Sequence, residues 1–218
     1  MLTIVIPALN ASATIGQCLA AIGGADEIIV VDGGSSDDTA HVARHAGAKV
    51  ITAERGRGTQ LHAGASASRG DWLLFLHADT RPGAGWRTAV AAHIASNLDH
   101  AGYFHLALDD CAWQARLIER GVVVRARLLG LPYGDQGLVI SRRLYSEVGG
   151  FRPLALMEDV DLVRRIGRHR LRRLNAVALT SAERWRRNGW IRRSARNLAC
   201  LALYAMGITP ARLARLYR

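Results

Sequence analysis

Glu27-Ile28-Ile29-Val30-Val31-Asp32-Gly33-Gly34-Ser35-Ser36-Asp37-Asp38-Thr39 decides the fold. Four β-branched residues in a row, with no polar residue between them, suit a strand buried on both faces. Asp32 ends the run and two glycines permit a tight turn. The serine–aspartate stretch then reads as a helix start, with Ser36 as N-cap and Asp37-Asp38 in the first turn. The same pattern extends outward. Residues 2–6, Lys49–Thr52 and 72–76 are further apolar runs, and Ser12–Ile22, 36–46 and 59–68 are helix-compatible. Ser12 is a second candidate N-cap, and Gly47 suits a helix end. Strands alternating with helices predict an α/β fold: a mostly parallel central sheet flanked by helices. Ligands of such sheets bind beyond the carboxyl ends of the strands. The residues just after each strand are therefore the candidate site.

Beyond residue 100 the alternation is looser. Residues 102–108 and Leu138–Ser141 read as strands, while 112–129 and 158–169 read as helices. From Trp185 the chain is helical with a break near Gly207 and Pro210. One domain is expected over 1–185, with 186–218 as its basic, amphipathic helical extension.

The chain has 218 residues, half of them hydrophobic and 22% charged, as in a globular protein with a sizeable core. No apolar run reaches the roughly 18 residues of a membrane span. No charged leader precedes the first strand, so no signal peptide is expected. Three cysteines spaced far apart favour neither a disulfide framework nor a zinc ribbon, and a cytoplasmic setting is expected. The net charge of +11 is lopsided: residues 1–111 hold 7 basic and 11 acidic groups, residues 112–218 hold 22 and 7. The second half favours anionic partners: a phosphorylated substrate, an anionic membrane surface or nucleic acid.

Three segments can carry chemistry. Asp32-Gly33-Gly34 offers a carboxylate at a strand end, or simply a turn. Leu76-His77-Ala78-Asp79-Thr80 offers Asp79 as an oxygen ligand for magnesium or manganese, or as a turn cap. Met157-Glu158-Asp159-Val160-Asp161 places three carboxylates at a helix start, where one can act as a general base or all can serve the helix dipole. Gly56-Arg57-Gly58 lacks the third glycine of a dinucleotide fingerprint, and there is no Walker A sequence or Gly-x-Ser-x-Gly elbow.

In sequence order, the pieces are Pro7–Asn10, Val30-Val31-Asp32-Gly33-Gly34-Ser35-Ser36-Asp37-Asp38-Thr39, Arg57-Gly58, Leu76–Thr80 and Glu158-Asp159-Val160-Asp161-Leu162. Together they resemble the family 2 glycosyltransferases over about residues 1–185. The short length and the Leu-His-Ala-Asp-Thr variant are similar to the radical-SAM/selenodomain-associated transferase 2 subgroup. The resemblance implies a GT-A fold and transfer of sugar from a nucleotide diphosphate sugar, UDP before GDP. It implies nucleotide contacts from Pro7, Ala8, Asn10, Asp32, Gly33, Arg57, Gly58, His77, Ala78 and Asp79. It also implies a divalent metal (Mg2+ or Mn2+) on Asp79, and Asp159 as catalytic base with Glu158 beside it. Tyr133, Asp135, Gln136, Arg184 and Trp185 are placed on the acceptor side. His77 stands where the family has the first aspartate of Asp-x-Asp, and Ala11 where many members have glutamate. Ser181 stands where processive synthases have glutamine, so single-sugar transfer is expected.

The implied mechanism is one inverting displacement by an acceptor hydroxyl, with a lipid or lipid-linked molecule as a candidate acceptor. Alternatives are a sugar-nucleotide nucleotidyltransferase and a non-catalytic nucleotide- or nucleic-acid-binding protein. The first lacks its Gly-rich basic loop after the first strand. The last lacks a recognised motif, so no nucleic acid partner is expected. Arginines 186, 187, 192 and 193 beside Trp190 suit an interfacial helix on the inner membrane face. A helix packed on the domain would instead bury Leu198, Leu201 and Met206.

Overall fold

The computed structural model describes residues 1–96 and 98–217. The first half is β1 (Leu2–Ala8), α1 (Ser12–Ile22), β2 (Glu27–Asp32), α2 (Thr39–His45), β3 (Lys49–Thr52), α3 (Arg57–Ala67) and β4 (Trp72–Phe75). There follow β5 (Thr80–Pro82), α4 (Trp86–Ser96), β6 (Ala101–Leu108), α5 (Trp113–Leu129), β7 (Leu138–Ser141), α6 (Arg142–Glu147), α7 (Glu158–Ile166) and β8 (Leu171–Thr180). The chain finishes with α8 (Glu183–Asn188), α9 (Trp190–Ala205) and α10 (Pro210–Tyr217). Arg218, the last residue of the expected extension, lies outside the described residues.

The strands form one sheet in the order β3-β2-β1-β4-β7-β6-β8-β5. The first four are parallel, as their sequence indicates. The remainder is mixed: β7 is antiparallel to β4 and β6, β8 is parallel to β6, and β5 is antiparallel to β8. Apolar residues alternate between two packed layers. Val5, Ile29, Val31, Leu73 and Phe75 face one, while Ile4, Ile6, Val30, Leu74 and Phe104 face the other. Burial on both faces explains why these strands read as continuous apolar runs. Gly64 brings α3 close to the sheet, where a Cβ would stand 2.3 Å from Val5 Cγ1.

From β1 the chain steps outward through β2 to β3, then crosses back to lay β4 on the other side of β1. That reversal opens a crevice at the carboxyl ends of β1 and β4, where such sheets bind ligands. Strands β5 and β8 and helices α4 and α6 are additions to the sequence reading. Residues 171–180 alternate between buried and exposed positions only from Leu174 onward, and a bulge opposite Tyr103 and His105 offsets their pairing.

Helix starts differ from expectation. Ser12 is the first residue of α1, and α2 begins at Thr39 rather than at Ser36. The capping is done across the two loops. Ala11 N–H donates to Thr39 Oγ1 at 2.7 Å and Ser12 N–H to Asp37 Oδ2 at 3.1 Å. Asp37 thus serves the start of α1, and the hydrogen bonds it accepts, from the Thr39 hydroxyl first and then from Ser12, hold its carboxyl below the usual range. The helix expected over 158–169 stops at Ile166, because Gly167 turns the backbone to φ +84°.

The C-terminal helices bury only part of the set expected for packing on the domain. Cys200 and Leu213 are buried, and Leu201 packs on the core, so α9 and α10 belong to the domain surface. Leu198 and Met206 nevertheless stay exposed. Among the described residues, no helix is long and apolar enough to cross a membrane.

Candidate active site

Two loops shape the crevice from the β1–β2 side. Asn10, at φ +48°, accepts from Ser36 N–H at 2.9 Å through Oδ1, and its own N–H donates to Ser35 Oγ. Asp32 is buried and accepts from Ser35 N–H at 3.2 Å and from Ser35 Oγ at 2.5 Å. Gly33 N–H donates to Ala8 O at 2.9 Å. Pro7, Ala8, Asn10, Asp32 and Gly33 therefore form one preorganised shelf. Gln60 of α3, which the sequence reading passed over, holds it from beneath. Its Nε2 donates to Ala8 O at 2.9 Å and Val31 O at 2.8 Å.

The opposite side is an open cavity of about 830 Å³. Arg57, His77, Asp79, Tyr133, Asp135 and Asp159 all line it, with Arg184 and Trp185 at the far wall. These residues come from five separate segments. Strand pairing brings several of them together: Ser181 N–H donates to Asp79 O at 3.2 Å, and the Thr80 and Thr180 hydroxyls pair at 2.9 Å. Thr180 Oγ1 also donates to Asp135 O at 3.2 Å. Asp79 and Asp135 are thus carried on one stitched frame.

Asp159 accepts from Gly134 N–H at 2.9 Å through Oδ2. Gly134 also approaches His77 so closely that a Cβ would stand 2.5 Å from Nε2. Met157, just before the carboxylates, adopts φ +66°, a strained conformation of the kind found at functional sites. Glu158 is buried and pairs with Arg57, Oε1 to Nε at 2.9 Å. Burial raises its carboxyl above the usual range, and the arginine pulls it back. Burial, with Arg57 beside it, pushes the His77 imidazole down to about 3, so it is neutral at physiological pH. Burial lifts Asp135 to about 6, with Arg125 opposing and Asp159 and Asp79 adding to the rise.

Three expected contacts point elsewhere. Gln136 is spent on the backbone: Nε2 donates to Phe104 O at 3.1 Å, and Oε1 accepts from Tyr133 N–H at 3.3 Å. It positions the loop from within and does not line the cavity. The Ala78 side chain packs into the core. Gly58 lies against the backbone of Arg152, where a Cβ would come to 2.1 Å of the carbonyl oxygen, so its bareness serves packing. Conversely, Arg193 and Asn197 of α9 line the cavity unforeseen. Their i,i+4 spacing puts them on one helix face, but no motif marks them.

The residues fit a hard divalent ion. Among the described residues, no three His, Cys, Asp or Glu side chains converge as a complete protein cage. Magnesium bound with a substrate needs only one or two carboxylates, the phosphates and water supplying the rest. Asp79 meets that requirement. Asp135 Oδ1 is buried without a hydrogen-bond partner among the described residues, leaving an uncommitted acceptor on the same cavity.

A switch-point crevice with a loop shelf on one side and convergent carboxylates and arginines on the other defines an α/β protein with a ligand site at the strand ends. The family model for glycosyl transferase family 2 matches residues 3–176, and the chain belongs to that family. Glucosyl-3-phosphoglycerate synthase of Mycolicibacterium paratuberculosis is 38% identical over 92 residues, 36% of this chain and 28% of that protein. An uncharacterized glycosyltransferase of Mycobacterium bovis is 36% identical over 98 residues, 44% and 45% of the two chains. These alignments span less than half the length of either relative. Among solved structures, the Mycobacterium tuberculosis glucosyl-3-phosphoglycerate synthase, in complex with Mn2+, UDP and glucosyl-3-phosphoglycerate, superposes with a TM-score of 0.61. Its sequence identity is 23%, with 83% of this chain and 70% of that one covered, which shows a shared fold.

Proposed function

We propose that the chain transfers a single hexosyl group from a UDP-sugar to a hydroxyl acceptor, inverting the anomeric centre. The supporting observation is the convergence of Asp79, His77, Arg57 and Asp159 on one cavity beside the Asp32 shelf. The shelf takes the nucleoside. Asp79 holds a magnesium or manganese ion, which when bound neutralises charge on the leaving diphosphate. Arg57, kept in place by Glu158, adds positive charge on the same side. Asp159, oriented by Gly134 N–H, takes the proton of the attacking hydroxyl. Neutral His77 fills the Asp-x-Asp position without adding a charge beside Asp79. The names of the relatives support UDP-glucose as donor and an acceptor with a phosphorylated head. Arg184 and Arg193 on the far wall suit such a head.

The test is thermal stability with UDP, with and without manganese, followed by UDP-glucose turnover. A ligand at a hundred times its Kd stabilises the fold by about 2.7 kcal/mol. Manganese-dependent stabilisation is expected in the parent chain and not in Asp79→Ala. Equal stabilisation of both would remove Asp79 from the metal site.

A further inference from the structure

An apolar groove opens from the acceptor end of the cavity. It runs between α5 and α9, with a volume of about 1260 Å³ including its open side. Trp113, Leu117 and Gly121 supply one wall at i, i+4, i+8 spacing, and Trp190, Ile191 and Leu198 supply the other. Trp113 is 69% exposed, Ile191 83% and Leu198 64%. Carbon surface of this extent, left open beside a polar cavity, marks a binding site. The α9 wall lies beyond the segment that the family model matches, which ends at residue 176.

Groove and cavity are continuous, since Tyr133, Asp135, Trp185 and Asn197 line both. Two buried polar atoms at this junction, Asp135 Oδ1 and Trp185 Nε1, have no hydrogen-bond partner among the described residues. One is an acceptor and the other a donor. Leaving such groups unpaired is costly, so their native state includes a polar partner. We infer that the groove is the acceptor's tail subsite: the acceptor is an amphiphile whose hydroxylated, anionic head enters the cavity while its hydrocarbon chain lies between α5 and α9. This rests on the transferase reading above and specifies its acceptor class.

The probes are glycerol 3-phosphate and 1-dodecanoyl-glycerol 3-phosphate, which share the head and differ in the tail, used below micelle-forming concentration. Trp113, Trp185 and Trp190 report groove occupancy through their emission. Gly121→Phe fills the groove from a helix position where an added Cβ meets nothing within 4 Å, and Ala195→Trp is a second, independent block. The inference requires a saturable emission shift with the dodecanoyl probe, lost in both variants, and binding at least about thirtyfold tighter than glycerol 3-phosphate, a small part of what burying its alkyl chain provides. It also requires transfer to the dodecanoyl probe to exceed transfer to glycerol 3-phosphate. An unshifted emission, a shift that survives both blocks, or equal use of the two probes overturns it. A dimer that both blocks dissociate also overturns it, by assigning the groove to a second copy. Manganese-dependent UDP binding, measured in parallel, tests the donor reading separately: its loss would strike the transferase assignment, whereas its presence without a tail effect strikes the groove alone.

Discussion

The backbone N–H of Gly134 donates to Asp159 Oδ2 at 2.9 Å, so the loop before β7 orients a carboxylate at the start of α7. Asp159 Oδ1 meanwhile accepts from Val160 N–H at 2.8 Å. Asn at this position keeps an oxygen for Gly134 and loses the capacity to take a proton. Asp159→Asn is expected to lower kcat by about a hundredfold or more, with UDP affinity and melting temperature little changed. Turnover near that of the parent chain, with Glu158→Gln inactive instead, would move the base to Glu158.

Gly134 itself is predicted to be sensitive to substitution. A methyl group there meets His77 Nε2 at 2.5 Å, so the half-buried imidazole has to shift within the cavity it lines. Gly134→Ala should cost about 1–3 kcal/mol of stability, the usual range for overpacking. It should also lower kcat, since the same residue aims Asp159. Denaturant unfolding and turnover together check this, and an unchanged unfolding midpoint would mean that the loop shifts freely.

Asp135 makes a pH prediction. Its folded carboxyl sits at about 6 against an ordinary value of 3.8, because burial penalises its charge. The folded chain holds this proton more tightly than the unfolded one. The resulting stability is full below the ordinary value and is lost as pH rises towards 6 and beyond. Asn cannot ionise, so metal-free Asp135→Asn should exceed the parent by on the order of 2–3 kcal/mol at pH 8 and match it near pH 3.5. Melting curves at both pH values decide it, and an equal difference at the two would refute the burial argument.

Exposed Met206, just after α9, and Leu216 of α10, near several arginines in the sequence, predict salt-sensitive attachment to anionic vesicles. Truncating α9 would be a poor test, because Cys200 and Leu213 bury against the core. Met206→Asp with Leu216→Asp leaves that packing in place. The parent chain should float with anionic vesicles at low salt and the double variant should not. Failure of the parent chain to float would exclude membrane docking through this face.

Local order was legible in the sequence wherever one segment carried its own signal. The runs at 2–6, 27–31 and 72–76 became β1, β2 and β4 because strands buried on both faces must be continuously apolar, while the half-buried run at 49–52 became the edge strand β3. Asp32, His77, Asp79 and Asp159 stood out because each follows a strand or starts a helix. What sequence order could not contain was who meets whom. Strand β8 was obscured by exposed Arg172 and Arg173 and by a bulge, yet its pairing with β5 sets Ser181 beside Asp79. Caps exchanged between loops, as by Asp37 and Thr39, depend on contacts some 25 residues apart. Gln136 looked like a ligand-facing polar residue until its amide was found bonded to Phe104 and Tyr133. Arg193, Asn197 and the groove of α5 and α9 arise only when two distant helices pack side by side. Hydrophobic periodicity is written in neighbouring residues and so determines the elements. The closure of a cavity depends on long-range packing, which only the tertiary structure supplies.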